Sequence, residues 1–290
     1  MPYSRRNFLR DSSLFGTGLM LSGLESCAGK IPSNISTFGL QLYSLRDDMP
    51  NDPKGILRQV ADFGYKQIES YDGPKGIFWG MKNTEFKKFL DGIGVDLVSS
   101  HCKWEGPEFD ALAAQAGEMG MKYLICPNLG VQKSIDDFKR FAAQFNKAGE
   151  ICKKNGLRFA YHNHGYSFKM LDGQIPQAVL MDETDAALVD FELDMYWVTY
   201  AGADVEAWLK KYKNRFRFCH IKDRLKNADP KAENNSCTLG EGSLDFAKLL
   251  KTAAQNGMQY YIVEQERYDG TTPLKSAADN AAYLKGLRLA

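Results

Sequence analysis

Along most of the chain, short runs of β-branched and aromatic residues alternate with longer stretches whose apolar positions recur at helical spacing. The short runs Phe38–Tyr43, Gln67–Ser70, Asp96–Ser100, Tyr123–Cys126, Arg158–Tyr161, Ala187–Glu192, Phe216–Ile221 and Tyr260–Glu264 read as eight strands. Between and after them, Pro53–Phe63, Thr84–Ile93, Glu108–Met119, Ile135–Lys154, Gln174–Glu183, Val205–Tyr212, Ser243–Asn256 and Thr272–Leu287 carry helical periodicity. The punctuation agrees. Pro53 and Pro107 suit a first helical turn, and Ser134 precedes Asp136 and Asp137. Gly64, Gly94, Gly120, Gly156 and Gly257 each stand just before the next strand, where a helix ends in a left-handed residue.

Eight strand–helix units over about 250 residues predict an α/β fold of the (β/α)8 TIM-barrel type, a single domain over residues 36–290. An open doubly wound sheet is the alternative, but Gly39-Leu40-Gln41 after the first strand start is not its glycine-rich phosphate turn. The longest irregular stretch, Arg224–Gly240, follows the seventh strand. A βα loop of that length is a candidate functional loop.

The first thirty residues break the pattern. Arg5 and Arg6, then Phe8-Leu9, precede a weakly apolar segment from Ser12 to Leu24 that is too short to span a membrane. This resembles a twin-arginine export signal. Leu24-Glu25-Ser26-Cys27 resembles a lipobox, which would make Cys27 a lipid-attachment site, although Glu25 is unusual there. The expectation is an exported protein, periplasmic or membrane-anchored through Cys27. The other cysteines, Cys102, Cys126, Cys152, Cys219 and Cys237, are odd in number and irregular in spacing, which argues against a disulfide framework. Cys126 and Cys219 read as small buried hydrophobes.

Charge narrows the partners. The chain has 37 Lys and Arg against 36 Asp and Glu, and setting aside residues 1–27 leaves 34 of each. A nucleic-acid binder shows a basic excess, so a small neutral partner is expected instead. All four histidines, His101, His162, His164 and His220, fall at the ends of strands three, five and seven, where barrel chemistry sits. Strand alternation puts Glu192 and Asp194 on one face, Glu264 and Glu266 on one face, and His220 with Lys222. Imidazoles and carboxylates gathered from several strands suit one divalent ion, Mn²⁺, Mg²⁺, Co²⁺ or Zn²⁺. The bland alternative for the carboxylates, Asp223 among them, is solvated strand ends or helix caps. Tyr43, Trp79, Trp104, Tyr196 and Trp197 stand near the same rim and are candidate stacking surfaces for a sugar ring, or else core packing.

At these residues the chain resembles the xylose isomerase-like sugar isomerase/epimerase family, which also holds inosose dehydratases and the AP-endonuclease family 2 barrels. The resemblance rests on Gly39 to Arg46, Tyr161-His162-Asn163-His164, Leu193-Asp194, His220 to Asp223, Gly240 to Phe246 and Val263-Glu264. It implies a metal held by the residues at His162, Asp194, His220 and Glu264, the first of which is a glutamate in the family, with His164 as the alternative ligand to His162. That departure removes one of the two glutamates that serve as acid and base in the epimerases, so His164 or His101 would be the second proton carrier beside Glu264. Lys222 would steady a developing oxyanion, and Tyr43, Trp104, Asp223 and Glu266 would contact substrate. The implied reaction is proton abstraction beside the carbonyl of a non-phosphorylated keto sugar. It ends in isomerisation or epimerisation or, as alternatives, in 1,2-elimination from a 3-keto-glycoside or in dehydration. A nuclease and a catalytically inert sugar-binding lipoprotein are the competing classes. The neutral charge opposes the first, and the retained Asp194, His220 and Glu264 oppose the second.

Overall fold

Strands β1 (Gly39–Gln41), β2 (Gln67–Tyr71), β3 (Asp96–His101), β4 (Tyr123–Cys126), β5 (Arg158–His162), β6 (Val189–Asp194), β7 (Phe216–Ile221) and β8 (Tyr260–Val263) run parallel and close on themselves, β1 pairing with both β2 and β8. The structure is a computed structural model that describes residues 33–230 and 232–289. The export-signal segment and Cys27 lie outside the described residues.

Helices α1 (Pro53–Phe63), α2 (Asn83–Ile93), α3 (Glu108–Met119), α4 (Ile135–Lys154), α5 (Pro176–Glu183), α6 (Met195–Tyr200), α7 (Val205–Lys211), α8 (Phe246–Gln255) and α9 (Pro273–Gly286) lie between and after the strands. Their ends follow local chemistry. Ser134 and Asp137 form a reciprocal capping box at α4, and Asp52, Asp245 and Thr272 each accept a backbone N–H at α1, α8 and α9. Gly64, Gly94 and Gly120 end α1, α2 and α3 in the left-handed conformation.

Three departures from the sequence pattern have physical causes. The first strand stops at Gln41 because its side chain accepts the Tyr43 N–H at 3.0 Å, turning Leu42–Leu45 into a 3₁₀ helix. Helix α8 starts at Phe246 rather than Ser243, since the Asp245 side chain caps it by accepting the Lys248 N–H at 3.2 Å. The aromatic run Met195–Tyr200 forms α6, capped by the Asp194 carboxylate on the Trp197 N–H at 3.1 Å. Within the long loop after β7, Asp223–Arg224 and Ser236–Cys237 form a two-residue antiparallel ribbon.

The outer core lies between strands and helices, and Cys126 and Cys219 are fully buried in it. A separate inner cluster of Val98, Tyr123, Ile125, Ala160, Phe218 and Ile262 fills the barrel. Tyr123 and Phe218 meet edge-on with centroids 4.5 Å apart, and each large side chain removed from water contributes about 2 kcal/mol. Strand alternation on β6 sends Asp190, Glu192 and Asp194 to one face. Asp190 accepts from Tyr123 and Arg158, while Glu192 and Asp194 reach the imidazoles described next.

Candidate active site

The carboxyl ends of β3, β5, β6, β7 and β8 converge on buried His101, His162, Glu192, Asp194, His220 and Glu264. His220 is the hub. Its Nε2 lies 2.8 Å from Glu69 and 3.2 Å from Glu192, and its Nδ1 lies 3.2 Å from Glu264 and 3.7 Å from Asp194. Glu192 is fully buried rather than a solvated strand end, and its Oε2 takes His101 Nε2 at 2.8 Å and His162 Nδ1 at 3.1 Å. Glu69, which the sequence pattern does not single out, also takes Gln41 Nε2 at 2.7 Å and Ser99 Oγ at 2.6 Å.

Two overlapping donor sets result, each with its ligand atoms within 4.8 Å of one another: His101, His162, Glu192 and His220, and Asp194, His220 and Glu264. In the first, Glu192 Oε2 accepts from two imidazoles and its Oε1 is buried with no hydrogen-bond partner. In the second, Asp194 Oδ2 is likewise buried with no hydrogen-bond partner, while its other oxygen caps α6. An orphaned buried carboxylate oxygen beside an imidazole nitrogen and a second carboxylate fits a divalent ion. Glu69 would then orient His220 through Nε2 and leave Nδ1 for the ion, while Glu192 on Nδ1 of His162 leaves the Nε2 of that ring.

Electrostatics hold the cluster together. Burial would raise the Glu264 carboxyl, but the charges of Lys222 and His220 win and hold it well below the usual carboxylate range. Burial would likewise lower His220, yet Glu192 and Glu264 raise it well above an ordinary imidazole, and Glu69 and Glu192 raise His101 against its own burial. His164 behaves oppositely. Burial, with His162 and Lys222 nearby, keeps its imidazole neutral, and its buried Nδ1 has no partner.

A cavity of about 520 Å³ opens above this floor, reached by Tyr43, Trp104, His101, His162, His164, Glu264 and Glu266 among others. Trp197 lines it too, so six of the expected aromatic and imidazole residues share one space. Other expected residues lie elsewhere. Lys222 is buried behind the wall, its ammonium on Glu264 at 3.0 Å and on Glu266, which makes it a charge partner rather than an oxyanion donor at the surface of the cavity. Asp223 receives the backbone N–H groups of Arg224, Gly240, Gly242 and Leu244, so it anchors the β7 loop instead of contacting substrate. Trp79 is buried with its indole N–H on Ser70, and the Tyr196 hydroxyl bonds the Glu233 carbonyl and the Asn235 N–H. Trp104 also packs edge-on against Phe145 at 5.1 Å.

Comparison with known proteins agrees with this architecture. A family model described as xylose isomerase-like TIM barrel matches residues 57–287. The inosose dehydratase of Clostridium perfringens is 27% identical over 295 residues, covering 91% of each chain. A crystal structure of a sugar phosphate isomerase/epimerase from Parabacteroides distasonis superposes with a TM-score of 0.75 at 28% identity, over 87% of this chain and 98% of that one. The IolI protein, solved with a bound zinc atom, shares the fold at a TM-score of 0.70 and 15% identity, over 86% of this chain and 96% of that one. With the family pattern matched over most of its length, the chain belongs to the xylose isomerase-like TIM barrels.

Proposed function

We propose that this chain is a divalent-metal enzyme that removes the proton beside the carbonyl of a non-phosphorylated keto sugar and then expels a group from the adjacent carbon. The observation that carries the reading is the inequality of the groups reaching the cavity: an ionised carboxylate, Glu264, and an imidazole held neutral, His164. One base and one different proton carrier suit elimination, whereas two-sided epimerisation is best served by matched bases. The family relationship to inosose dehydratases supports the same chemistry.

Asp194, His220 and Glu264, with His162 beside them, would hold the ion, which supplies Lewis-acid polarisation of the carbonyl. The Glu264 carboxylate takes the α-proton while Lys222 keeps that side chain fixed. The electron pair of the broken C–H bond forms the carbon–carbon double bond of the enol. On collapse, the bond from the neighbouring carbon to the departing oxygen breaks, and that oxygen takes a proton from one nitrogen of His164 while the other nitrogen receives the proton that Glu264 took, so both groups return to their starting forms. The products are the unsaturated ketone and a free alcohol or water.

The cavity wall favours an uncharged sugar. Asp72, Glu105, Glu264 and Glu266 line it against Lys103, a poor setting for a phosphate group. The twin-arginine-like segment and Cys27 fit the same reading, with an exported or membrane-anchored protein acting on free carbohydrate. A second reading, isomerisation or epimerisation, draws on the 28%-identical structure from Parabacteroides distasonis.

Proton NMR of the metal-loaded protein with a 3-keto-glucoside in D₂O separates them. Release of free aglycone with a new vinylic signal is the expected result. Deuterium entering beside the ketone while the glycosidic bond survives means isomerase or epimerase chemistry.

A further inference from the structure

A second cavity of about 460 Å³ adjoins the first, and the two share Asn128, His164 and Trp197 in their walls. Val131, Met170, Leu171, Tyr166 and Tyr200 supply the apolar part of its lining, beside Lys169, Glu233 and Gln132, whereas the first cavity is floored by carboxylates and imidazoles. Among the described residues, the large hydrophobic side chains that stand exposed are Tyr43, Val131 at 81% and Met170 at 72%. Tyr43 lines the first cavity, and the other two line the second. Apolar side chains left in water at one place mark a binding surface. The inner wall is also tightly built. A Cβ on Gly165 would lie 2.6 Å from the Tyr200 ring, so only glycine lets that ring close against the backbone. His164 stacks on Tyr166 at 5.8 Å and 7° and packs against Trp197 at 5.1 Å, forming the partition between the two spaces.

We infer that the second cavity seats the leaving group of the substrate, an apolar aromatic aglycone whose glycosidic oxygen crosses the partition at His164. The inference rests on the elimination reading for its chemistry, since a group that is to depart needs its own seat beside the proton donor. The occupant is argued from continuity with the catalytic cavity and from the lining. The rings of Tyr166, Tyr200 and Trp197 border the space, with Lys169 over the Tyr200 ring at 5.3 Å, and the exposed Val131 and Met170 offer area that an apolar ring would cover.

Unoxidised glucosides test this without turnover. Phenyl β-glucoside and methyl β-glucoside share the sugar and differ in the aglycone, and neither carries the ketone that elimination needs. Calorimetric titration of the metal-loaded protein should give at least about tenfold tighter binding for the phenyl compound. In Met170→Asp and in Val131→Asp the preference should fall to about twofold or less, with methyl glucoside affinity unchanged. Both positions are solvent-exposed, and an unaltered melting temperature shows that the variants fold. Equal affinity for the two glucosides, no binding of the phenyl compound, or a preference that survives both substitutions overturns the inference. The outcomes stay separable from the reaction itself: aglycone preference without elimination in the NMR experiment sinks the proposed reaction alone, and elimination without aglycone preference sinks the second cavity alone.

Discussion

A carboxylate outside a donor set can still govern it, and Glu69 stands in that relation to Asp194, His220 and Glu264. Its Oε1 lies 2.8 Å from His220 Nε2, which leaves Nδ1 of the same ring facing Asp194 and Glu264. Holding the remote nitrogen fixes the ring and raises the basicity of the near one. Glu69→Gln keeps the volume and removes the charge, so metal affinity should drop about 10- to 100-fold while the fold persists. Competition against a chromophoric chelator measures it, and unchanged affinity would remove Glu69 from the site. Nothing in the sequence marks Glu69 or gives Glu192 its central role. Glu69 is the lone acid of a five-residue strand and Glu192 one of three acids in β6, either of which reads as a solvated end, and only the closed barrel shows that these positions point inward at the histidines. The histidines were legible because four of them fell at strand ends. Asp194, His220 and Glu264 were legible through the family resemblance, and they do converge.

At the scale of elements, the barrel could be read almost entirely in advance, because each unit carries its own period, cap and stop. Glycines Gly64, Gly94 and Gly120 terminate helices where the sequence places them. What escaped is tertiary. Helix α6 is written in strand-like aromatics and exists because Asp194 caps it. The loop after β7 looked like a binding loop containing a substrate contact at Asp223, yet both oxygens of that side chain are committed to backbone N–H groups. Oδ2 accepts from Gly240 and Gly242 at 3.0 Å each, and Oδ1 from Arg224 at 2.8 Å and Leu244 at 3.2 Å. Gly242 belongs to the same device, since a Cβ there would sit 2.1 Å from Asp223 Oδ1. Hydrogen bonds to a charged group contribute about 1.5–3 kcal/mol each at most, and those of one clamp do not add fully. Asp223→Ala should therefore cost about 2–4 kcal/mol in chemical denaturation. Hydrogen exchange should quicken across residues 236–244 and stay unchanged in β1 to β4. Uniform acceleration over the barrel would mean that Asp223 supports the whole fold rather than the loop.

For the whole molecule, the buried charge at the mouth of the barrel couples folding, metal and pH. Glu69, Glu192, Asp194, Glu264 and Glu266 are gathered around Lys222 and the imidazoles of His101, His162 and His220. Without an ion, protonated His220 and His101 supply the compensating charge, which is why burial loses to the carboxylates and both values stand above the ordinary imidazole. The sign of the consequence follows. A raised folded-state value contributes stability that is fully present below the unfolded value of about 6.5, and that stability is lost as pH climbs through the raised value. Metal-free protein should thus melt at progressively lower temperature from pH 6.5 upward. Glu264, held low, stays ionised over this interval and adds no slope of its own. Metal binding needs the neutral imidazole, so each ion displaces the His220 proton, and affinity should rise by about tenfold per pH unit below the raised value. Melting curves of metal-free protein with and without saturating Mn²⁺ or Zn²⁺, taken from pH 6 to 9, should show a thermal shift that is small at pH 6 and widens steadily. A shift that is flat, or largest at pH 6, would mean that the ion does not bind at the Nδ1 of His220, and the donor set of Asp194, His220 and Glu264 would have to be abandoned.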